Sequence, residues 1–338
     1  MLRGAMVGLG QVGLLGHLPA WQKRSDFQIA AGVDFSDERT ALFQKSLPQA
    51  RIFKTLEDCL SKTQLDFVDI ATPPHTHFNL ARAALRSGLH VLCEKPLVLK
   101  REDLVELAAE QSQAGKILMT VHNWKFAPIC RKLAELLDQG AIGKVNRLDW
   151  YVLRSGPAAT TEGDQENWRL DPERAGGGIL IDHGWHAFYL VLEWLKLKPS
   201  KISAALEKRQ YESLSVEDTA KVRIEFNGGS QVAEIFLTWA SRLRKNSGLA
   251  EGSLGQIHIE DDRLILNKKN APPETIPFES PLSAGSHHPD WFGFVIDEFL
   301  SELSDPALSG RNFRTAQMCL NLVEKAKESS GKGTLVPV

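Results

Sequence analysis

One stretch near the start limits the fold most. Gly8-Leu9-Gly10-Gln11-Val12-Gly13 lies between the apolar run Gly4-Ala5-Met6-Val7 and an apolar, helix-like segment. A strand running straight into a glycine-rich turn and then a helix opens a parallel strand–helix–strand unit. Each glycine has its own task there. Gly8 permits the tight turn, Gly10 lets the backbone approach a pyrophosphate, and Gly13 lets helix and strand pack closely. The helix start, with Gln11 and Val12, presents unpaired N–H groups to phosphates. A second strand-like run, Phe27–Val33, ends in Asp34, about 20 residues beyond the last glycine. A carboxylate there accepts hydrogen bonds from the adenosine ribose hydroxyls and repels a 2′-phosphate, and no arginine follows directly. The expected cofactor is NAD, with NADP the alternative.

The alternation continues to about residue 122. Helix-like Glu38–Lys45 and Leu56–Lys62 precede the strand Phe67–Ala71. Helix Phe78–Ser87 stops at Gly88, strand Leu89–Cys93 follows, and helix Leu99–Ala114, closed by Gly115, leads to strand Ile117–Val121. This pattern predicts a doubly wound parallel sheet over residues 1–122. Ligands bind such sheets where the strands end, and two segments fall there. In Thr72-Pro73-Pro74-His75-Thr76-His77 the prolines stiffen the loop and the Thr72 hydroxyl can reach a phosphate or ribose. The same segment also reads as a plain strand-to-helix turn. Thr72, Pro73 and His77 are cofactor-side candidates, with His77 read as capping or packing, and His17 as a surface or packing histidine. In Glu94-Lys95-Pro96 the proline stops the strand. A lysine fixed there can work near neutral pH once desolvated, because burial lowers the pKa of an amine. A bare tripeptide of this kind is also compatible with a surface turn.

After residue 122 the grammar changes. Helix Ile129–Leu137 is followed by strand-like Asn146–Leu153, Lys201–Tyr211, Thr219–Phe226 and Ser230–Trp239, with Gly228-Gly229 as a hairpin signal. Ser253–Glu260 and Arg263–Leu266 add another pair, and Trp291–Leu303 and Ala316–Ser329 read as closing helices. Strands without intervening helices imply an α+β domain with a large, mostly antiparallel open sheet over residues 123–338. One helix interrupts them. It starts at Gly176-Gly177-Gly178 and carries Asp182 and His186 four residues apart, hence on one face. A carboxylate that orients an imidazole is a usual general-base arrangement; a polar pair on a helix flank is the plainer reading. Trp168 can wall a pocket and Arg169 can bind a hydroxylated or anionic group, though packing and a surface ion pair serve equally. Asn123 joins Trp168 and Arg169 as a substrate-side candidate. His287 and His288 can line a pocket mouth, with plain exposure the simpler reading. No metal site is expected, because no further ligand set stands at suitable spacing.

A formal net charge of −2 with no basic stripe argues against nucleic acid as a partner. No apolar run approaches about 18 residues, so no membrane span is expected. The first strand begins almost at Met1, leaving no room for a signal peptide. Cys59, Cys93, Cys130 and Cys319 are scattered, which suits a reducing cytoplasm.

In combination these motifs resemble the glucose–fructose oxidoreductase / inositol dehydrogenase / rhizopine catabolism family, Gfo/Idh/MocA. The resemblance rests on Gly8–Gly13 with His17-Leu18-Pro19-Ala20, Thr72–His77, Gly88–Leu97 with its Glu94-Lys95-Pro96, Trp168-Arg169-Leu170-Asp171-Pro172, and Gly176–Gly178 through Asp182, Gly184 and His186. It covers nearly the whole chain. It implies a Rossmann domain followed by an open-sheet domain, and a homodimer or homotetramer formed through that sheet. Lys95, Asp182 and His186 fall on the family's catalytic positions, and Lys95, Asp182 and His186 then also contact substrate. Glu94 and Lys95 flank the cofactor. The implied chemistry is reversible hydride transfer between a nicotinamide and a hydroxyl carbon of a sugar, cyclitol or related polyol. Two departures bear on the substrate: Tyr189 stands where the family often has an aspartate, and Lys125 where it often has arginine. A dinucleotide-sensing regulator without turnover and an NAD-dependent glycosidase are the competing readings.

Overall fold

The computed structural model describes residues 1–159 and 167–338. These form two compact units. The first takes Met1–Asn123 and, from far along the chain, His287–Gln317; the second takes described residues between 124 and 286 together with Met318–Val338. The sequence pattern suggests a single cut near residue 122, but the first unit is discontinuous.

Its sheet has six strands: β1 Leu2–Val7, β2 Phe27–Val33, β3 Arg51–Phe53, β4 Phe67–Ile70, β5 His90–Cys93 and β6 Leu118–Thr120. Their order is β3-β2-β1-β4-β5-β6, and every pairing is parallel. The chain therefore leaves β1 in one direction and returns to its other side at β4, which makes the carboxyl ends of β1 and β4 the switch point. The central strands are apolar on both faces, with Ala5, Met6, Val68, Ile70, Val91 and Leu92 fully buried, as helices on both sides require. Trp21, Phe27 and Phe67 pack edge-on or tilted with centroids 5.0 to 5.5 Å apart. Phe299, from helix Pro289–Ser304, joins them 5.9 Å from Phe67. Farther on, Asn312 accepts from the Thr120 N–H at 2.8 Å and donates to its carbonyl at 3.0 Å. One side-chain amide thus satisfies both main-chain groups of Thr120 at the edge of the sheet, as a paired strand would.

The second unit is built on nine strands: β7 Val145–Leu153, β8 Pro199–Glu207, β9 Thr219–Phe226, β10 Gln231–Thr238, β11 Lys245–Gly252, β12 Gly255–Ile259, β13 Arg263–Lys268, β14 Glu274–Pro277 and β15 Val336–Pro337. They lie in the order β14-β13-β12-β11-β7-β10-β9-β8-β15. Only β7 and β10 run parallel. The β9–β10 hairpin turns at Gly228 and Gly229, both at positive φ. Along β10, Ala233, Ile235 and Leu237 are buried while Val232, Glu234 and Phe236 are partly open, so the period-2 pattern marks one covered face and one open face. Helix Trp185–Leu195 is apolar on nearly every side and covers the buried face, Trp194 lying 5.2 Å from Trp150. It is entered through a π turn, Leu180–Gly184. Glu217 holds that entrance: its Oε1 accepts from the Gly178 and Leu180 N–H groups at 3.0 Å each. A Cβ on Gly178 would stand 2.0 Å from the Glu217 carbonyl oxygen. Among the described residues no helix is long and apolar enough to cross a membrane.

The first unit also contains a buried charge cluster. His17 is 2% exposed and stacks on Phe292 at 3.7 Å. Its Nδ1 lies 3.0 Å from both carboxylate oxygens of Asp69, and its Nε2 3.2 Å from Glu94 Oε1. Trp21 Nε1 donates to Asp69 at 2.7 Å. Burial alone drives an imidazole toward neutrality, but Asp69 and then Glu94 outweigh it and raise the His17 pKa to about 9. Only the imidazolium donates from both nitrogens. Of the two places its sequence setting allows, surface or interior, His17 takes the interior, as a cation tying the first helix to the ends of β4 and β5. Because the folded pKa is above the unfolded value of 6.5, this stabilisation is complete below about pH 6.5 and is lost as pH rises through about 9. Urea unfolding of the parent chain should weaken by about 1–3 kcal/mol more than that of His17→Gln between those two pH values. Parallel pH profiles for the two proteins would remove the cluster from the stability account.

Candidate active site

In the first unit the glycine turn is built by collision avoidance. Gly8 has φ +91°, and a Cβ there would lie 2.7 Å from both the carbonyl carbon and the oxygen of Ala71. Its N–H donates to Val33 at 2.9 Å, so the ends of β1, β2 and β4 meet at one residue. A Cβ on Gly13 would come within 2.5 Å of the Gly8 carbonyl oxygen. Gly10 and Val12 are half-buried and Gln11 is exposed. The helix starts as a π turn, Val12–His17. Asp34 closes the turn from β2. It is 6% exposed; Oδ2 accepts from the Leu9 N–H at 2.8 Å and Oδ1 from the Ser36 N–H at 2.9 Å. Each oxygen keeps a second lone pair for a ribose hydroxyl. A turn that excludes side chains and carries a fixed carboxylate at the next strand end suits a dinucleotide.

The other two loops of this edge brace each other. Thr76 Oγ1 donates to the Pro73 carbonyl at 2.8 Å, so the 2.6 Å contact between Thr72 and Thr76 has the Thr72 hydroxyl as donor. With its proton so committed, Thr72 has none to give a phosphate and can only accept, as from a ribose hydroxyl, which narrows the role expected of it. His77 is fully buried, its ring nitrogens 2.8 Å from the carbonyls of Pro96 and Thr72. Burial lowers its pKa against the pull of those carbonyls, and a neutral ring donates to one of them. His77 thus joins the Thr72-Pro73 loop to the Lys95-Pro96 segment, whose peptide bond is cis. Glu94 is fixed from both sides: Oε1 faces His17 and Oε2 accepts from the Lys95 N–H at 3.0 Å. Burial would raise the Glu94 pKa, but His17 and Lys95 hold it below the usual value. Lys95 is half-buried at the end of β5, and Asn123 is half-buried where this unit ends.

In the second unit, Asp182 and His186 sit where the π turn passes into the α-helix. Each of the two also has a neighbour of its own. Asp182 Oδ2 lies 3.1 Å from His183 Nδ1. His186 Nδ1 lies 2.7 Å from Tyr189 Oη, and that phenol accepts from the Trp124 N–H at 2.9 Å. The Trp124 ring stacks on His186 with centroids 4.4 Å apart and planes 13° apart. His186 is therefore fixed in plane and in rotation, at 7% exposure. Trp168 and Arg169 share a 3₁₀ turn capped by Asn167, with the Arg169 guanidinium 4.3 Å over the Trp168 ring. Motif reading misses Trp124 as a wall of the histidine site. It notes Tyr189 only as a departure from a pattern, although its place three residues after His186 on a helix was a legible signal.

Two family models match the chain. The oxidoreductase family with an NAD-binding Rossmann fold, GFO_IDH_MocA, matches residues 2–122, and the GFO/IDH/MocA C-terminal domain matches residues 130–258. The chain is similar to the myo-inositol 2-dehydrogenase of Thermotoga maritima, 27% identical over 68% of this chain and 66% of that one. It is also similar to the D-glucoside 3-dehydrogenase of Escherichia coli, 25% identical over 73% of this chain and 72% of that one. Among solved structures it resembles GenD2 from gentamicin A biosynthesis in complex with NAD, with TM-score 0.84, 25% identity, and coverage of 100% and 96% of the two chains. With the glycine turn, Asp34, the Glu94-Lys95-Pro96 strand end and the Asp182–His186 helix in place, the chain belongs to the Gfo/Idh/MocA family of NAD-binding oxidoreductases.

Proposed function

We propose that this chain catalyses reversible, NAD-dependent oxidation of a hydroxyl carbon in a sugar, cyclitol or related polyol. The observation that carries this reading is the held imidazole of His186, fixed at Nδ1 by Tyr189 and against the ring of Trp124, in a chain that also builds a dinucleotide turn. Gly8, Gly10, Gln11, Val12, Gly13 and Asp34 would hold the dinucleotide, with Thr72, Pro73 and Glu94 lining the same strand ends. Bound NAD supplies the hydride acceptor, or as NADH the donor. His186 takes the hydroxyl proton at Nε2 in the tautomer whose Nδ1–H donates to the Tyr189 oxygen. Lys95 Nζ donates a hydrogen bond to the reacting oxygen and stabilises its developing negative charge. Asp182 supports the cationic form of the imidazole, and Asn123, Trp168 and Arg169 contact the other hydroxyls.

Self-association through the open face of the nine-stranded sheet, where Tyr151 is exposed beside Phe236, belongs to the same proposal. So does a cytoplasmic setting, since all four cysteines are buried free thiols.

The test is NADH formation from a panel of sugars, inositols and sugar acids. Lys95→Ala should lose turnover by about a hundredfold to a thousandfold while still binding NAD. Equal turnover in parent and variant would take Lys95 out of the mechanism. Tyr189→Phe keeps the ring and removes the contact to Nδ1, so kcat should fall about tenfold with KM nearly unchanged. A change in KM alone would make Tyr189 a substrate-binding residue instead.

A further inference from the structure

Three hydrogen-bond donors stand in one row on the buried face of the nine-stranded sheet, and strand register puts them there. Thr238 of β10 pairs with Leu153 of β7, and Asn246 of β11 pairs with Val152. Arg154, one residue past the end of β7, therefore lies beside Trp239 at the carboxyl end of the two parallel strands, and Asn246, opposite Val152, is its diagonal neighbour on the same face. Arg154 is 3% exposed, and Trp239 and Asn246 are fully buried. Arg154 Nη1 donates to the carbonyls of Leu153 and Lys245, at 2.8 and 3.4 Å, and to Asn246 Oδ1 at 3.0 Å. Arginine has no acceptor, so the amide oxygen of Asn246 must face it and the amide nitrogen must point elsewhere. That nitrogen, Arg154 Nε and Trp239 Nε1 are each buried without a hydrogen-bond partner.

Burying a donor unmet is costly, and three together in a native fold call for an acceptor. No carboxylate pairs with Arg154 among the described residues; Asp182 and Asp261 reach it only through their fields. Burial, then Arg244, pushes its pKa down to about 10, which leaves it a cation at neutral pH. Its guanidinium lies 5.8 Å from the centroid of the Trp124 ring, the ring that stacks on His186. The row therefore adjoins the side chains assigned to proton transfer. A hydroxyl suits it poorly, because a hydroxyl must also donate its own proton. A group that only accepts, with negative charge to match the guanidinium, suits it well.

We propose that Arg154, with Asn246 and Trp239, forms a subsite for a carboxylate on the substrate, making polyhydroxy acids the preferred substrate class. This rests on the polyol reading above and sharpens it. Calorimetry on the NAD-loaded protein tests it with matched pairs: D-glucuronate against D-glucose, D-galacturonate against D-galactose, and D-gluconate against D-glucitol. At least one acid should bind about tenfold or more tightly than its neutral partner. Arg154→Gln should abolish that preference and leave neutral binding within about threefold. If that variant does not fold, Trp239→Phe, which deletes only the indole donor and a ring, should weaken the preference severalfold. The proposal fails if no acid outbinds its partner in the parent protein, if the preference survives Arg154→Gln, or if D-glucose 6-phosphate binds more tightly than every acid. NADH formation is followed separately. An acid preference without any NADH would sink the hydride-transfer reading and leave the subsite standing.

Discussion

Position 8 tolerates no side chain. The backbone of Ala71 stands where a Cβ would go, and the Gly8 N–H is already committed to the end of β2. This close approach brings the carboxyl ends of β1, β2 and β4 to a single point, where the strand order reverses. Asp34 can reach Leu9 only because that point is so tight. His17 can reach both Asp69 and Glu94 only because the helix after the turn lies directly over the ends of β4 and β5. Glu94 in turn fixes the main chain of Lys95. A hydrogen atom in place of a methyl group is thus the condition for the order of the whole ligand edge of the first unit.

Much of this was legible in the sequence because it is local. The glycine spacing, the 3.6-residue helices and the strand-ending Glu94-Lys95-Pro96 depend on neighbours a few positions away. The exceptions are short or tertiary. β3 has three residues, too few to show a period. β11, Lys-Asn-Ser-Gly-Leu-Ala-Glu-Gly, lacks β-branched residues and is a strand only because β7 and β12 flank it. The parallel β7–β10 pairing brings together segments some eighty residues apart, as no local pattern could reveal. The same holds for Arg154, Trp239 and Asn246. None lies in a motif; their adjacency exists only in the register of three strands. Sequence reading could find the residues proposed for proton transfer, but not the donors beside them.

Tyr189 shows how a departure from a family pattern becomes chemistry. A carboxylate at that position would lend negative charge to the imidazole. A phenol fixes the ring just as well but lends none, and through the Trp124 N–H it also holds the aromatic wall of the histidine site.

The discontinuity of the first unit reaches beyond the folded state. Phe292, Phe299 and Asn312 complete its aromatic core and seal the edge of β6, yet they are made last on the ribosome, after almost all of the other unit. Through most of translation the nascent nucleotide-binding half carries a bare sheet edge and uncovered rings. For the same reason this half cannot simply be excised as an independent module for recombination with other scaffolds.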